Sequence, residues 1–238
     1  MFLFQRQKEI LNYLNENKSA TVKELAKIVW SSESSVRRDI KALEQQGLLK
    51  QVYGGVILPH KNSVVPVVIR DTFNSSVKDQ LAIEAVKYIF NGATILMDNS
   101  STVRQIIKHL DHFQNLKIIT NNHKLLSESD NSNLELYSTG GKLIKQNHVY
   151  VGSSAESYVK NIYADILFFS SQAISNEGEI SDICESETSI RKVMLTRAEK
   201  KIFLCDSSKI GLKKTFTLCT KDDVDTIICD KPLPWEKG

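Results

Sequence analysis

Cysteine is scarce in this sequence of 238 residues, and the four that occur, Cys184, Cys205, Cys219 and Cys229, are widely and irregularly spaced. Zinc sites and disulfide-stapled domains place their cysteines in close sets such as Cys-x-x-Cys. The spacing therefore excludes both classes, and we expect reduced thiols that are mostly buried. We predict no metal and no cofactor for this chain.

Long apolar runs are also missing. The opening Met1–Phe4 leads at once into Gln5-Arg6-Gln7-Lys8, so it is too short for the core of a signal peptide. No later run approaches the ~18 apolar residues that a membrane helix needs. Hydrophobic residues at 41% and charged residues at 25% are instead typical of a folded globular protein. We therefore expect a cytoplasmic protein with no membrane partner.

The excess of positive charge is small, but it is confined to one end of the chain. The formal net charge is +3. Residues 1–60 hold nine Lys or Arg against six Asp or Glu, whereas the remainder holds 22 of each. A basic N-terminal segment favours contact with a polyanion.

Three short helix patterns occupy this basic segment. Residues 5–17 repeat apolar side chains at helical spacing, and residues 21–29 begin with the capping-box pair Thr21 and Glu24. A third helix is predicted over residues 32–46. Because a short turn joins the last two, the pattern is typical of a helix-turn-helix, whose last helix lies in the major groove of DNA.

The third helix has an apolar face and a basic one. Val36, Ile40 and Leu43 form the inward stripe. The opposite face carries Ser34, Arg37, Arg38, Lys41 and Gln45. A solvated surface is the ordinary interpretation of such a face, but three cations on the last helix of a helix-turn-helix favour contact with DNA. Residues 48–58 then form two β-prone runs around Gly54-Gly55, which predicts a hairpin, or wing.

These residues resemble a known signature. Glu33-Ser34-Ser35-Val36-Arg37-Arg38-Asp39-Ile40, Leu43-Glu44 and Tyr53-Gly54-Gly55-Val56 are similar to the Ser/Thr-Ile-Arg-Arg-Asp-Leu helix and His-Gly-Gly-Ala wing of the DeoR-type bacterial transcription regulators. The resemblance implies that residues 1–58 are a winged helix-turn-helix domain that binds double-stranded operator DNA. The implied DNA contacts are Ser34, Ser35, Arg37, Arg38, Lys41, Gln45, Lys50 and Tyr53. The chain departs from the family at Trp30-Ser31, usually Gly-Val, at Gln51, often Arg, and at Tyr53, usually His.

Residues 59–77 contain Pro, Asn and Ser on either side of a short β-prone run at 64–69. This composition predicts a linker. Beyond it, helix and strand patterns alternate over residues 78–238. Helices are predicted at 78–90, 101–110, 122–129, 154–160 and 185–198, and strands at 94–97, 117–120, 134–137, 165–170, 201–205 and 226–230. This alternation predicts an α/β domain with a mostly parallel, Rossmann-like sheet covered by helices on both faces.

Ligands of such sheets bind outside the carboxyl ends of the strands. There Asp98-Asn99-Ser100-Ser101-Thr102 leaves a strand and opens a helix, which makes it equally a phosphate cradle or an ordinary helix cap. Thr120-Asn121, Thr139-Gly140-Gly141 and Cys205-Asp206-Ser207-Ser208-Lys209 end three other strands, and Lys192 lies on the helix before the last of these.

The same loops resemble the DeoR-type sensor domain, which is similar in fold to ribose-phosphate isomerase and binds phosphorylated sugars or related metabolites. The resemblance implies effector contacts at Asp98, Ser100, Ser101, Thr102, Thr120, Asn121, Gly140, Gly141, Lys192, Asp206 and Lys209. The chain departs from the family at Ser100, where a glycine is usual, and in residues 168–173, which lack one.

The leading hypothesis is a repressor of a sugar or sugar-phosphate operon, modulated by an anionic metabolite, rather than an enzyme. Two alternatives remain open. One is a phosphosugar isomerase or deaminase with a DNA-binding module, since Asp98, Asp206 and Lys209 are the residue types that acid–base chemistry needs. The other is a constitutive DNA-binding protein with a decayed pocket. Operators with two half-sites suit symmetric proteins, so we expect a homodimer or homotetramer.

Overall fold

A computed structural model describes residues 5–58, 70–71, 73–129 and 133–236. It divides the chain into two compact units, Met1–Phe73 and Asn74–Gly238. Most of the predicted linker, including the β-prone run at 64–69, lies outside the described residues. Among the residues described, no helix has the length and apolar content needed to cross a membrane.

The N-terminal unit consists of three helices and a small antiparallel sheet. The helices are α1 (Gln5–Asn17), α2 (Val22–Ile28) and α3 (Glu33–Gln45), and the strands are β1 (Ser19–Ala20), β2 (Lys50–Val52) and β3 (Gly55–Ile57), in the order β1-β3-β2. The three predicted helices and the predicted hairpin are confirmed.

Local hydrogen bonds explain where these helices begin. The hydroxyl of Thr21 accepts from the amide of Glu24 at 3.2 Å, and the Glu24 carboxylate accepts from the amide of Thr21 at 2.8 Å, which completes the capping box. Ser32 caps α3 through a bond from the amide of Ser35 to its hydroxyl. Beyond α3, Gly47 has a φ of +69°, which ends the helix in a left-handed turn.

The C-terminal unit is built on a six-stranded, fully parallel sheet with a second antiparallel sheet beside it. Its strands are β4 (Thr94–Met97), β5 (Leu116–Thr120), β6 (Leu134–Ser138), β7 (Lys142–Ile144), β8 (Val149–Val151), β9 (Ala164–Phe169), β10 (Ala173–Ile174), β11 (Glu179–Asp182), β12 (Ala198–Cys205), β13 (Phe216–Thr220) and β14 (Thr226–Cys229). The parallel sheet has the order β6-β5-β4-β9-β12-β14; β10-β11-β13 and β7-β8 are antiparallel.

Helices cover both faces of the parallel sheet. They are α4 (Ser75–Val86), α5 (His123–Glu128), α6 (Ser153–Lys160), α7 (Glu185–Leu195) and the 3₁₀ helix Val103–His109. Because side chains alternate along a strand, Ile95 and Met97 of β4 pack into the core that includes α4, whereas Leu96 packs with α6 and α7. The predicted α/β fold class is therefore confirmed.

Some predicted bounds were wrong. The helix expected over 78–90 is α4, which begins at Ser75 and ends at Val86. It ends early because the amides of Tyr88 and Ile89 donate to carbonyls three residues before them, which tightens the chain beyond the helix. The helix expected over 101–110 is a 3₁₀ helix of seven residues. Residue 198 belongs to β12, since it pairs with Ala164 of β9. The short antiparallel strands β7, β8, β10, β11 and β13 were not predicted.

Candidate DNA-binding and effector sites

The outward face of α3 is exposed and basic. Arg37, Arg38, Lys41, Gln45 and Ser34 are exposed, whereas Ser35 is half-buried. Arg37 makes a long contact of 3.5 Å with Glu33, and both partners are exposed, so the pair is weak. Among the described residues, Arg38 and Lys41 have no ion-pair partner. These side chains can therefore reach a phosphate or a base edge without breaking a strong internal contact.

The residue next to Arg38 holds this face in position from the inside. Asp39 is buried, and its carboxylate accepts from Nε of Arg6 at 2.5 Å and from the side-chain amide of Gln7 at 3.2 Å. Both donors lie on α1. Of the two neighbouring residues, Arg38 therefore faces solvent, whereas Asp39 joins α3 to α1.

The wing lies beside the end of α3. Lys50 is exposed, and Tyr53 at the tip of the hairpin is fully exposed. Gln51 is bound to Glu44 of α3 through its amide, 2.8 Å, and its side chain, 2.6 Å. Gly55 approaches β1 so closely that a Cβ would lie 2.6 Å from the carbonyl oxygen of Ala20. Gln51 is therefore committed to α3, whereas the side chains of Lys50 and Tyr53 face solvent.

In the C-terminal unit the parallel sheet has a switch point between β4 and β9. The chain runs outward through β5 and β6 on one side of β4 and through β9, β12 and β14 on the other. Asp98, directly after β4, joins the two halves: its carboxylate accepts from the amide of Ser100 at 2.9 Å and from the amide of Ser170 at 3.2 Å. A crevice at such a point is the general ligand-binding position of open α/β sheets.

A buried arginine holds the same carboxylate. Arg191 of α7 donates to Asp98 and to Asp182, each at 2.8 Å, and to Asn99 at 3.0 Å and Glu187 at 3.2 Å. Burial acts to lower the pKa of Arg191, but the charges of Asp182, Asp98 and Glu187 raise it above its usual value. The guanidinium therefore stays charged, and this cluster fixes the shape of the loop after β4.

Two lysines bind hydroxyls of the loops after β4 and β9. Lys78 of α4, which is buried, donates to the hydroxyl of Ser101 at 3.1 Å. Lys209 donates to the hydroxyl of Ser170 at 3.0 Å and to Asp206 at 3.3 Å. The structure thus brings two ammonium groups to the hydroxyls that end β4 and β9. Ammonium and hydroxyl donors in this arrangement can bind the oxygens of an anion.

Asp206 is the counter-charge of the lysines. Its carboxylate also accepts from the side chains of Asn74, at 3.2 Å, and Ser208. Burial acts to raise the pKa of Asp206, but the charge of Lys209, the Ser208 bond and the charge of Lys78 lower it to about 2. Asp206 is therefore ionised at neutral pH.

The other predicted effector residues lie along the same edge. Thr102 is buried in the loop after β4. Thr120 donates to the Met97 carbonyl at 2.6 Å, and Asn121 donates to the Tyr150 carbonyl. The side-chain oxygen of Asn121 is buried and has no hydrogen-bond partner among the described residues. Gly140 and Gly141 follow β6, so Thr120, Asn121, Gly140 and Gly141 all lie at the carboxyl ends of β5 and β6.

The structure corrects one expectation about this site. Lys192 is exposed and lies near Cys219, whereas the neighbouring Arg191 is the cation of α7 that reaches the loop after β4. The carboxylate of Asp98 accepts from Arg191 and two amides, which leaves one of its roughly four acceptor sites for a ligand hydroxyl. The hydroxyl of Ser100 accepts from the amide of Val103 at 3.1 Å, so one backbone amide of the first turn after the loop already has a partner within the loop.

Lys78 and Arg191 were missed, although helical periodicity contains the signal. Lys78 belongs to the buried stripe of α4 with Leu81, Ala82 and Ala85. Arg191 belongs to the buried stripe of α7 with Glu187, Ile190 and Met194. A cation at a core position of an amphipathic helix is expected to have a buried partner.

The chain is similar to known proteins over almost its whole length. The DeoR-like helix-turn-helix domain matches residues 6–62, and the DeoR C terminal sensor domain matches residues 73–231. The HTH-type transcriptional regulator GolR of Listeria innocua is 32% identical over 98% of this chain and 92% of its own length. The fold and both matches define a winged helix-turn-helix DNA-binding protein with a C-terminal α/β sensor domain. The chain belongs to the DeoR family of transcriptional regulators.

Two further relatives are named for sugar operons. The putative aga operon transcriptional repressor of Escherichia coli O157:H7 is 28% identical over 97% of this chain and 87% of its own length. The L-fucose operon activator of Escherichia coli K12 is 28% identical over 95% and 94%. Among solved structures, ribose 5-phosphate isomerase A of Methanocaldococcus jannaschii aligns at 16% identity with a TM-score of 0.43, covering 58% of this chain and 55% of that chain.

Proposed function

We propose that this regulator represses an operon of sugar or sugar-phosphate metabolism and that a phosphorylated sugar, or a similar anionic metabolite, modulates its binding to the operator. The observation that carries the proposal is the pair of ammonium groups, Lys78 and Lys209, bound to the hydroxyls of Ser101 and Ser170. They lie at the switch point of the sheet, where a ligand is expected. The sugar operons named for two relatives support the same class of effector.

In this proposal the effector phosphate accepts hydrogen bonds from Lys209 and from the loop hydroxyls of Ser100, Ser101 and Thr102. Asp206 orients Lys209 and accepts from a sugar hydroxyl. The unpartnered oxygen of Asn121 is a second hydroxyl acceptor, because a buried polar atom without a partner is otherwise costly. Each part of a phosphorylated sugar thus has a group of matching chemistry.

A thermal-shift panel tests the effector. A ligand at 100 times its Kd should stabilise the protein by about 2.7 kcal/mol, and sugar phosphates should do so where the unphosphorylated sugars and inorganic phosphate do not. Lys209→Met should abolish the shift. Lys192→Met is the matched control, since that lysine is exposed and should leave the shift unchanged. A panel without any shift would favour the decayed pocket.

For the DNA interface, we propose that Arg37, Arg38 and Lys41 contact the major groove and that Lys50 and Tyr53 contact the adjacent backbone. Operator fragments can be selected from random-sequence DNA with the full chain and used in fluorescence anisotropy. Arg37→Ala with Arg38→Ala should abolish specific binding, because an arginine that reads guanine contributes ~1–3 kcal/mol of discrimination. Lys108→Ala, which removes an exposed charge from the other unit, should bind normally. Unchanged affinity of the double variant would contradict the proposal.

The sign of regulation follows from the same DNA-binding assay, whereas the assembly needs a separate measurement. Repression predicts that the effector which shifts the melting temperature also lowers operator affinity, because a ligand changes DNA binding only through unequal affinity for the free and bound states. An effector that raises affinity would instead match an activator. We propose a homodimer or homotetramer, since paired half-sites suit a symmetric protein. Analytical ultracentrifugation of the free protein tests this.

We propose no enzymatic activity. A general base works best with a pKa near the operating pH, whereas the pKa of Asp206 is lowered to about 2 and Asp98 is bound by Arg191. Sustained turnover of a sugar phosphate by the pure protein, lost in Asp206→Asn, would contradict this.

A further inference from the structure

Two cysteines lie side by side at the end of the parallel sheet. Cys205 is the last residue of β12, and Cys229 is the last residue of β14. They are directly paired in the parallel register of these strands. Paired residues of neighbouring parallel strands lie ~4.8 Å apart and project to the same face, which falls within the ~4.4–6.8 Å range of Cα separations seen in disulfides. The thiol of Cys205 also donates to the carbonyl of Asp206 at 3.4 Å, and that of Cys229 lies 3.8 Å from a carboxylate oxygen of Asp230.

The two thiols differ in access and in reactivity. Cys205 is buried, whereas Cys229 is half-buried and lines a surface cavity of about 230 Å³ with Asp230, Lys231 and Leu233. The neighbouring Cys205 thiol lowers the pKa of Cys229, whereas the Cys229 thiol and burial raise the pKa of Cys205. The thiolate that a small oxidant meets first is therefore Cys229, with Cys205 placed directly behind it.

We propose that Cys205 and Cys229 form a reversible disulfide when the protein meets a hydroperoxide, and that the bond locks the loop after β12. The Cys229 thiolate attacks one peroxide oxygen and forms a sulfenic acid with release of water or an alcohol. The Cys205 thiol then attacks the sulfenic sulfur and expels water. Two thiols are oxidised by two electrons and the peroxide is reduced by two, which balances the reaction.

The bond acts on the loop because both cysteines adjoin the residues that hold it. Asp206 follows Cys205, and Asp230 follows Cys229. The carboxylate of Asp230 accepts from the amide of Ser207 at 2.6 Å and from its hydroxyl at 2.8 Å. This bridge joins the two strand ends just beyond the thiols. A covalent link beside it prevents the ends from separating and so restricts residues 206–209.

The test oxidises the full chain with a small excess of hydrogen peroxide. We expect the mass to fall by two hydrogens, one linked peptide pair containing Cys205 and Cys229, and reversal by a dithiol. Hydrogen exchange of residues 206–209 should slow at least tenfold. Cys229→Ser should abolish the link and the slowing, whereas Cys184→Ser and Cys219→Ser should retain both. Oxidation of Cys229 without the link, a link that involves Cys184 or Cys219, or unchanged exchange in the linked protein would overturn the proposal. None of these readouts depends on the effector or on DNA.

Trp30 lies in the turn between α2 and α3. Its side chain is 95% exposed, and its φ is +47°. Left-handed backbone is costly for a bulky residue, and an exposed indole gains nothing from burial. The protein therefore carries both a strained backbone and an uncovered aromatic ring directly before the cap of α3.

We infer that Trp30 packs against the sugar-phosphate backbone of operator DNA, where its ring is covered and its N–H can donate to a phosphate oxygen. The inference rests on the proposed DNA interface, because Trp30 lies in the turn that leads into α3, the helix that carries Arg37 and Arg38. The sugar-phosphate backbone next to that interface covers the exposed ring of Trp30 and accepts its N–H.

Fluorescence tests this directly, since the chain has two tryptophans. In the Trp235→Phe variant, Trp30 is the reporter, and its emission should change on operator binding with the same midpoint as anisotropy. Trp30→Gly should lower operator affinity about tenfold without lowering the melting temperature, because glycine accepts the left-handed turn. Unchanged emission with normal DNA binding, or unchanged affinity of Trp30→Gly, would overturn the inference. If neither the wild type nor Trp235→Phe binds DNA, the proposed function is contradicted instead.

Discussion

The guanidinium of Arg191 lies 2.8 Å from the carboxylate of Asp98, and both side chains are fully buried although 93 residues separate them in the sequence. The same carboxylate accepts from the amides that follow β4 and β9. One ion pair thus joins α7 to both halves of the sheet at its switch point. The geometry of the loops after β4 and β9 depends on it.

Arg191→Met should strongly destabilise the protein. The substitution leaves the carboxylates of Asp98, Asp182 and Glu187 buried without their cation, and breaking such a cluster costs about 3–5 kcal/mol. Urea unfolding followed by circular dichroism measures the loss. Lys192→Met is the control, because this neighbouring cation is exposed and should change the free energy of unfolding by less than about 0.5 kcal/mol. Equal effects of the two substitutions would refute the central role of Arg191.

The elements that local patterns define were predictable from the sequence. The helix α3 was predicted with its N-cap Ser32, its inward stripe and its glycine stop, because capping and helical periodicity each involve residues a few positions apart. The parallel sheet was predicted because strands and helices alternate. Both inferences depend on short-range order, which a single sequence contains.

The partners within the effector site were not predictable in the same way. Lys78 meets Ser101 across 23 positions, and Arg191 meets Asp98 across 93, so only the packed fold brings them together. Distinguishing Arg191 from Lys192 required the phase of α7, which its buried residues Ile190 and Met194 provide. The short strands β10, β11 and β13 escaped prediction because two to five residues do not establish an alternating pattern.

The ionised state of Asp206 predicts a loss of stability in acid. Its pKa is lowered to about 2 in the folded protein from an ordinary value of 3.8. A lowered pKa stabilises the folded state above the unfolded value, and this contribution disappears as the pH falls from about 4 towards 2. It amounts to roughly 2 kcal/mol in full, of which about 1 kcal/mol is lost by pH 3.

Urea unfolding at pH 6 and pH 3 isolates this contribution. The wild type should lose about 1 kcal/mol more than Asp206→Asn between the two values, since the amide cannot titrate. Asp222→Asn, at an exposed carboxylate, should follow the wild type. If Asp206→Asn and the wild type show the same pH dependence, the Lys209 pair does not lower the pKa of this carboxyl as described.

The two glycines after β6 should differ in their tolerance of a side chain. A Cβ on Gly141 would lie 2.7 Å from the carbonyl oxygen of Val151 and 3.0 Å from Cβ of Ala155, at a φ of +100°. A Cβ on Gly140 meets nothing within 4 Å, at a φ of +62°. Gly140→Ala should therefore cost about 1 kcal/mol through backbone strain alone. Gly141→Ala should cost at least twice that, because a backbone segment must also move. Thermal unfolding of both variants decides, and equal losses would contradict the close approach to β8.

The capping box of α2 should stabilise the DNA-binding unit by a measurable amount. Thr21→Ala removes the hydroxyl that accepts from the amide of Glu24 and that donates to its carboxylate, and the loss of such an N-cap costs about 1 kcal/mol. Thr21→Ser keeps both bonds and should remain within a few tenths of a kcal/mol of the wild type. Hydrogen exchange localises the effect: the amides of α2 should exchange roughly fivefold faster in Thr21→Ala, whereas those of β4 in the other unit should not change. If the amides of α2 exchange faster in Thr21→Ser, or no faster in Thr21→Ala than in the wild type, packing of Leu25 and Ala26, rather than the cap, determines where α2 begins.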